Sequence, residues 1–332
     1  MEKILSVSVA SYNVEQFIKQ NMDSFLGTEV SSKIEVLIVD DGSKDQTAAI
    51  AKEYQEKYPD TIKLVQQQNA GPGSTVNTGL KNATGKYFRM VDGDDWVNTK
   101  DLVKYITFLE ENNVDVVYTD YCLVDNDSGE EVSQRIQFEQ KNVILPYDEV
   151  CDKLQVVMHN VTYRTAVLKE NGFVMDNCFY TDMEYLLFPV KHLKTVCVLD
   201  CLIYMYRVSL ATQSININSM VRNKKMHTMV LHHLLEDYVA AKKDKLLSNA
   251  KINMIRTRLV MLCGTQLSII LAQKPSKETL SELKAFEQFL KEKDEDIYQR
   301  FLEFKTMKIL KTTKYLSFYP VSWMHRKRKK AD

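Results

Sequence analysis

The chain has 332 residues, of which 45% are hydrophobic and 27% are charged. This composition is ordinary for a folded globular protein and excludes a chain that is mainly disordered. Lys and Arg number 44, as do Asp and Glu, so the formal net charge is zero and no overall electrostatic field favours nucleic acid as a partner. The length is sufficient for two domains, or for one large domain with an appendage.

The N-terminal residues and the cysteines favour a cytoplasmic protein. The first apolar run is short and interrupted by serines, which predicts a strand and not a signal peptide. The six cysteines form no CxxC pair, so we expect reduced, mostly buried thiols and no zinc site. The longest apolar stretch, 259–272, is shorter than the roughly 20 residues that a membrane-spanning helix needs, and no such helix is expected.

The first 120 residues alternate strands and helices. Asn13 is placed to cap a helix at 14–26, which Gly27 would end. Apolar runs and helical periodicity predict the elements that follow. Strands are expected at 4–10, 33–41, 62–66, 86–92 and 114–120, and further helices at 46–58, 74–82 and 99–112. Five strands separated by helices indicate an open, doubly wound α/β sheet.

The rest of the chain divides into a mixed part and a helical part. Between 121 and 219 the pattern is mixed, with short strands expected near 196–199 and 203–207. From 220 onward helical periodicity predominates. The helices are expected at 220–246, 249–272 and 276–304, with a break at Pro275.

Acidic and aromatic residues follow three of the predicted strands. The stretches are SYN at 11–13, DDGS at 40–43 and DGDD at 92–95. Ligands of open α/β sheets bind beyond the carboxyl ends of the strands, so we expect these stretches to border one crevice. Like charges at this spacing repel each other. Asp92, Asp94 and Asp95 therefore predict a cation among them, either a metal ion or a cluster of Arg and Lys side chains.

Six stretches resemble, in order and spacing, the successive motifs of the family 2 glycosyltransferases, which have the GT-A fold. They are VSVASYN, VLIVDDGSKDQT, NAGPGSTVNTGL, ATGKYFRMVDGDDW, YTDMEY and YRVSLATQS, and they span about residues 4–215. The resemblance implies an α/β fold of the GT-A type, with an open, mostly parallel nucleotide-binding sheet. It also implies three parts: a nucleotide-sugar-binding half at 1–120, an acceptor-side half with the catalytic base at 121–219, and a C-terminal helical region at 220–332.

The activity that the resemblance implies is transfer of a sugar, with inversion, from a UDP-sugar to a hydroxyl of a glycan or lipid-linked glycan. Its setting would be cell-surface polysaccharide synthesis. Asp92 and Asp94 match a D-x-D motif that holds a divalent metal ion, Mn²⁺ or Mg²⁺, against the charge developing on the leaving diphosphate. Asp94 is assigned to the metal, and Asp92 to the metal or the ribose. Asp95 either assists them or caps the following helix.

Uridine recognition is assigned by the same resemblance to the ends of the first two strands. Tyr12 would stack on the flat base, and Asp41 would accept a hydrogen bond from its ring N–H. Asp40 either shares this role or orients the turn at Gly42. Ala10 and Gly93, each next to one of these motifs, complete the implied substrate-binding set.

The resemblance also implies a catalytic base and a closing loop. Asp182, in CFYTDMEYLLF, would remove the proton of the acceptor hydroxyl in a one-step displacement, and Glu184 is the alternative. Arg207, with Gln213 and Ser214 in YRVSLATQS, resembles a loop that closes on the donor diphosphate. The alternative for Arg207 is an ion pair at a domain seam.

One position departs from the family pattern. Val76 stands where many relatives have an arginine, which removes a cationic contact to the donor. Lys86 and Arg89 are candidates to replace that charge, although a strand arginine more often faces solvent. The N–H groups of the preceding NAGPGS stretch are a further candidate. His159 either touches the acceptor or has a structural role.

The C-terminal tail, residues 310–330, combines large aromatic and apolar side chains with a dense run of basic residues. From 301 to the end, nine Lys or Arg stand against two acidic residues. Aromatic rings favour the headgroup level of a bilayer, and Lys and Arg favour an anionic leaflet, so the tail predicts peripheral contact with the cytoplasmic face of a membrane. The alternative is that the aromatics pack on the helical region. Pro320 predicts a helix that ends near Phe318.

Two other function classes share parts of this pattern. A sugar nucleotidyltransferase also binds nucleotide and metal through paired carboxylates, but a Gly-rich basic loop would usually follow its first strand, where this chain has SYNVEQF. A non-catalytic nucleotide-sugar-binding protein would tolerate loss of Asp94 or Asp182, and both residues are present. Neither alternative involves nucleic acid.

Overall fold

The computed structural model describes residues 2–178, 180–210 and 217–331. The chain divides into two compact units, Met1–Thr212 and Gln213–Asp332. Within the described ranges, the first unit contains one sheet of ten strands. The strands are β1 Leu5–Ser11, β2 Ile34–Asp40, β3 Ile62–Gln66, β4 Tyr87–Asp92, β5 Trp96–Val97, β6 Val116–Asp125, β7 Glu131–Gln134, β8 Ile144–Pro146, β9 Val161–Arg164 and β10 Thr195–Val208.

The first four main strands form the parallel part of the sheet, in the order β3-β2-β1-β4. Each of the seven residues of β2 is buried, as expected of a parallel strand that is covered on both faces. The predicted strands at 62–66 and 86–92 are confirmed within one residue. The strand predicted at 114–120 begins two residues later and continues to Asp125.

The sheet continues beyond residue 120. β9 runs antiparallel between β4 and β6, and β10 pairs with β6 in parallel, with register shifts near Leu202. The strands expected near 196–199 and 203–207 form one strand, β10. Two short strands that the sequence did not predict also join the sheet: β5 pairs with β10, and β7 forms a hairpin with β6. The mixed part of the sequence therefore shares one sheet with the first 120 residues.

Seven α-helices flank the strands within the described part of the first unit. Asn98 caps the helix Thr99–Glu111 by accepting a hydrogen bond from the N–H of Lys100. The helix predicted at 14–26 is wrong in extent and in its cap, because Asn13 has a left-handed φ of 54° and its side chain bonds to Lys44 instead. The helices are α1 Ile18–Asp23, α2 Thr47–Lys57, α3 Pro72–Asn82, α4 Thr99–Glu111, α5 Tyr147–Val150, α6 Thr165–Glu170 and α7 Thr181–Leu187.

The second unit is helical throughout its described part. The helix predicted at 276–304 divides at Asp294, whose side chain caps the following helix, Glu295–Leu302. Pro320 does not end a helix, because it lies in the first turn of α14, where a backbone N–H has no intrahelical partner. The helices are α8 Ile217–Arg222, α9 Lys224–Lys243, α10 Asn249–Ala272, α11 Lys277–Lys293, α12 Glu295–Leu302, α13 Lys305–Thr312 and α14 Phe318–Ala331.

The helix α10 is the only described helix that is long and apolar enough to cross a membrane by length and composition. In its most apolar window of 18 residues, 56% of the window is buried within the protein. A core helix of a globular unit passes the same test. The six cysteines are free and buried, as the sequence predicts.

Candidate functional site

The ends of β1 and β4 lie side by side, with Ala10 level with Asp92. The next residue, Gly93, donates its N–H to the carbonyl oxygen of Ala10 at 3.0 Å. A Cβ atom at position 93 would lie 2.8 Å from that oxygen, so only glycine permits this close approach. The glycine thus fixes residues 92–95, here called the acidic turn, against the end of β1.

The carboxylate of Asp95 is the most buried of the acidic turn, with 1% of the residue exposed. It accepts hydrogen bonds from the hydroxyl of Tyr204 at 2.6 Å and from the N–H of Arg207 at 2.7 Å. Burial, and then the charges of Asp92 and Asp94, raise the pKa of Asp95 well above its usual range. The alternative of a helix cap at Asp95 is wrong, because Asn98 caps α4.

The other two carboxylates of the acidic turn also lie in an environment that disfavours their charge. Burial raises the pKa of Asp92 to about 7, with further contributions from Asp94 and Asp182. Burial likewise raises the pKa of Asp94. Three neighbouring acidic groups with raised pKa values are a site that a bound cation would stabilise in the ionised form.

Histidine 159 lies beside the acidic turn, which the sequence did not predict. One of its ring nitrogens and one carboxylate oxygen each from Asp92 and Asp95 all lie within 4.8 Å of one another. The ring stacks on Tyr206, with centroids 4.2 Å apart, and also contacts Tyr204 at 4.6 Å. The structure therefore adds an imidazole to the carboxylates that the sequence identified.

The guanidinium group of Arg207 supports the acidic turn from β10. Its Nε donates to the carbonyl oxygen of Asp94 at 2.9 Å, and Nη2 donates to the side chain of Gln20 at 2.6 Å. The rings of Phe17 and Trp96 each lie 4.7 Å from the guanidinium carbon. These contacts lie within the first unit. Gln213 and Ser214, which the sequence groups with Arg207, lie outside the described residues.

The residues assigned to the uracil base, Tyr12 and Asp41, lie at the ends of β1 and β2. Tyr12 is 46% exposed, whereas Asp41 is 3% exposed. The Asp41 carboxylate accepts hydrogen bonds from Gln67, from the N–H of Ala70 and from the N–H of Gly71. A carboxylate has about four lone-pair sites, so one remains for a further donor.

Asp40 takes the structural role that the sequence left open. Its Oδ1 accepts from the N–H of Ser43 at 3.1 Å, across the turn at Gly42. Gly42 has a φ of 74°, the left-handed conformation that glycine adopts without strain. Asp40 thus orients the turn that carries Asp41.

The two acidic residues of α7 point to different environments. Asp182, in the first turn of the helix, is exposed, yet the surrounding protein excludes enough water to raise its pKa. It lies close enough to Asp92 to raise the pKa of that residue as well. Glu184 is fully buried, and its Oε2 accepts from the N–H of Asp176 at 2.8 Å. Asp182 is therefore the one of the pair that faces the acidic turn and solvent.

Two of the candidates to replace the missing arginine, Lys86 and Arg89, make their contacts elsewhere. The ammonium group of Lys86 donates to the carbonyl oxygens of Leu109, Glu110 and Asn112, at the C-terminal end of α4. Arg89 is fully buried and does not face solvent, because it donates to Thr119, Thr162 and the carbonyl oxygen of His159. The N–H groups of Ala70 and Gly71, in the NAGPGS stretch, are bound by Asp41.

Known proteins resemble the chain in sequence. A family model, glycosyl transferase family 2, matches residues 6–172. The chain is 29% identical over 217 residues to the uncharacterized glycosyltransferase EpsJ of Bacillus subtilis, which is 62% of each chain. It is 33% identical over 128 residues to the minor teichoic acid biosynthesis protein GgaB of the same organism, which is 38% of this chain and 14% of GgaB. The chain thus spans less than two thirds of the length of these relatives.

Solved structures resemble the chain in fold. Residues 1–349 of Staphylococcus aureus TarS, in complex with UDP-GlcNAc, align over 98% of this chain and 92% of that one, with a TM-score of 0.63 and 20% identity. At this identity the likeness establishes the fold alone, and it confirms the predicted GT-A type. Because the family model covers half of the sequence, the family is established too. The chain belongs to glycosyl transferase family 2.

Proposed function

We propose that the chain transfers a sugar from a UDP-sugar to a hydroxyl group of a glycan or lipid-linked glycan, with inversion, in bacterial cell-surface polysaccharide synthesis. The observation that carries this proposal is the meeting of Asp92, Asp94 and Asp182 beside the carboxyl ends of the strands, with the pKa of each raised. Nucleotide ligands bind at this edge of open α/β sheets.

The choice of UDP rests on Tyr12 and Asp41. An exposed aromatic ring favours stacking on a pyrimidine, and the remaining lone pair of Asp41 suits the uracil N–H. The solved TarS complexes with UDP-GlcNAc and with UDP support the same choice. The polysaccharide setting is supported by the names of relatives, which include a teichoic acid biosynthesis protein.

The residues of the acidic turn fit a divalent metal ion. Carboxylate oxygens are the ligands that Mg²⁺ and Mn²⁺ prefer, and burial raises the pKa of both Asp92 and Asp94, so a bound cation would stabilise their ionised form. Asp92 and Asp94 would hold the ion. When bound, it would stabilise the negative charge that develops on the departing diphosphate.

Asp182 would act as the base. Its carboxylate is exposed to an entering acceptor. Its pKa is raised towards neutral pH, and a general base is most effective when its pKa lies near the working pH. It would take the proton of the acceptor hydroxyl as the oxygen attacks the anomeric carbon. Direct attack from the side opposite the leaving diphosphate inverts the configuration. Glu184 is unsuited to this role because it is buried and bonded to Asp176.

The tail would bind the cytoplasmic face of a membrane. Leu310 and Phe318 are fully buried, so part of the apolar tail packs within the second unit. Other apolar side chains remain exposed, and Lys327 lies 4.1 Å from the Trp323 ring. The exposed residues are Leu316 at 85%, Tyr319 at 45%, Trp323 at 54% and Met324 at 57%. Aromatic side chains beside Lys and Arg suit the headgroup region of an anionic leaflet.

A panel of nucleotide sugars tests the proposed activity. The protein is incubated with each donor, Mn²⁺ and candidate acceptors, and released UDP, released pyrophosphate and product linkage are measured. We expect UDP release from UDP-sugars only, and a product of inverted configuration. Pyrophosphate release would favour the nucleotidyltransferase, whereas binding without release of either would favour the non-catalytic class. The Asp182→Asn variant is the control for background hydrolysis.

A further inference from the structure

We propose that His159 supplies a nitrogen ligand to the metal ion of the acidic turn, so that the site prefers Mn²⁺ to Mg²⁺. The inference rests on the proposed metal dependence. It goes beyond that proposal because a D-x-D pattern contains only carboxylates and does not include residue 159. The side chains of His159, Asp92 and Asp95 form a cluster at the acidic turn.

The spacing of this cluster suits one ion. Metal–ligand bonds to imidazole nitrogen and to carboxylate oxygen are about 2.1 Å long, so two ligands on opposite sides of an ion are about 4.2 Å apart. The candidate ligand atoms of Asp92, Asp95 and His159 all lie within 4.8 Å of one another. Small side-chain adjustments would bring the three atoms to bonding distance.

The imidazole is held in place from several sides. It stacks on Tyr206 and contacts Tyr204 and Tyr121, with centroids 4.2 Å, 4.6 Å and 5.4 Å away. The backbone of His159 is fixed as well, because its carbonyl oxygen accepts a hydrogen bond from Arg89. A ring with so little freedom loses little entropy when it binds an ion.

The ring has unused bonding capacity. Its Nδ1 is buried and has no hydrogen-bond partner among the residues that the structure describes. A buried polar atom is normally hydrogen-bonded, so the missing partner calls for an explanation. An imidazole nitrogen without a hydrogen-bond partner can serve as a metal ligand.

The ligand set determines the choice of ion. Carboxylates and water bind Mg²⁺ and Mn²⁺ alike, whereas imidazole favours transition metals. One nitrogen beside the carboxylates of the acidic turn therefore shifts the preference from Mg²⁺ towards Mn²⁺. Asp95 is a constrained member of the set, because Tyr204 and Arg207 already donate to its carboxylate.

Pulsed electron paramagnetic resonance tests the proposal directly. The full-length protein is prepared with ¹⁵N-labelled histidine and loaded with Mn²⁺ in the presence of UDP. We expect a ¹⁵N coupling to the ion in the wild-type protein and its loss in His159→Gln and in His159→Phe. The second variant keeps an aromatic ring that can pack on Tyr204 and Tyr206, so its fold should be preserved. Melting temperatures of both variants check this.

A second histidine provides the matched control. His232 on α9 also stacks on an aromatic ring, that of Phe289, at 3.7 Å. The His232→Gln variant should retain the ¹⁵N coupling and the Mn²⁺ affinity. In the His159 variants we expect the Kd for Mn²⁺ to rise about tenfold, in the range that loss of a metal-site partner causes, and the Kd for Mg²⁺ to rise less than about threefold.

The outcomes separate this inference from the proposed function. If Mn²⁺ binds without a histidine coupling and His159→Gln leaves the Kd unchanged, the nitrogen ligand is refuted while the metal dependence stands. If the wild-type protein with UDP binds neither ion, both proposals fail.

Discussion

The Nε of Arg207 donates a hydrogen bond to the carbonyl oxygen of Asp94 across 2.9 Å. This bond joins the C-terminal end of the strand β10 to the acidic turn, more than a hundred residues earlier in the chain. The resemblance to other glycosyltransferases assigns Arg207 to the donor diphosphate. Its contacts in this protein favour a positioning role, in which the guanidinium fixes the backbone that carries Asp94.

Replacing Arg207 by lysine tests the two roles. Lysine keeps the charge but has no planar group to lie between Phe17 and Trp96. We expect kcat to fall by about 10- to 100-fold, because a displacement of about 1 Å at a reacting group has this effect, while UDP affinity changes little. Turnover by UDP release and UDP binding by calorimetry are the measurements. A loss of UDP affinity with unchanged kcat would instead assign Arg207 to the diphosphate.

Removing the charge of Asp94 should abolish transfer without unfolding the protein. In Asp94→Asn, the diphosphate would leave without its counter-charge, which we expect to lower kcat by at least about 100-fold. Excess chelator should have the same effect on the wild-type protein. Rates of UDP release are compared between Asp94→Asn and the wild-type protein, and equal melting temperatures show that the variant is folded. Full activity in chelator would refute the metal assignment.

Asp182 and Glu184 form a matched pair for the catalytic base. We expect Asp182→Asn to lower turnover by about 10²- to 10⁴-fold and to leave UDP affinity unchanged, because a general base acts mainly in the transition state. Glu184→Gln should keep turnover within about threefold, since glutamine can still accept from the N–H of Asp176. Steady-state rates and UDP binding of both variants decide the matter. The reverse pattern would make Glu184 the base.

Stability should depend on pH through Glu184. Burial, and then its contacts with Asp176, raise the pKa of Glu184 in the folded protein. A carboxyl with a raised pKa favours folding below its unfolded pKa of about 4.3, and this contribution is lost as the pH rises towards the folded pKa, because only the unfolded chain ionises freely. As the pH rises from 5 to 8, we expect the free energy of unfolding to fall less in Glu184→Gln than in the wild-type protein. Urea titrations measure this. Equal losses would contradict the raised pKa.

Membrane binding should depend on exposed side chains of the tail. Deleting the tail would also remove the buried Phe318 and the hydrogen bond from Ser322 to the carbonyl oxygen of Leu271. Single changes are therefore cleaner. We expect Leu316→Ser and Trp323→Ser each to weaken co-sedimentation with vesicles containing anionic lipid, and high salt to weaken it in the wild type, because each Lys or Arg contributes about 1 kcal/mol at such a surface.

A control for the tail variants lies on α10. Met261 is 59% exposed, so Met261→Ser removes a similar apolar surface elsewhere in the second unit. It should leave co-sedimentation unchanged. If it weakens binding as much as Trp323→Ser does, the tail is not the specific contact.

The sequence predicted the order of strands and helices because apolar periodicity is a local property. The strand at 62–66 was predicted with its observed bounds. The structure differs from the prediction where the position of a side chain depends on residues that are distant in sequence. Lys86 could not be placed from its neighbours, because its partners are carbonyl oxygens at the end of α4.

The candidate site shows the same division. Strand ends with acidic residues were sufficient to predict that the acidic turn lies beside the end of β1, since parallel strands share one edge. His159 and Tyr204 could not be assigned to it, because they come from elements that follow the acidic turn by about 65 and 110 residues. Only the pairing of β9 and β10 with β6 places them there. No local pattern encodes this pairing.

The central position of β1 restricts how the family can vary around this site. Ala10 is level with Val39 of β2 on one side and with Asp92 of β4 on the other. A one-residue insertion or deletion within β1 would therefore shift both Tyr12 and the Ala10 carbonyl oxygen that holds Gly93, and would reverse the faces of the strand. The turn between β6 and β7 is less constrained, because residues 126–130 are exposed. Natural variation in length should accumulate at that hairpin and spare β1.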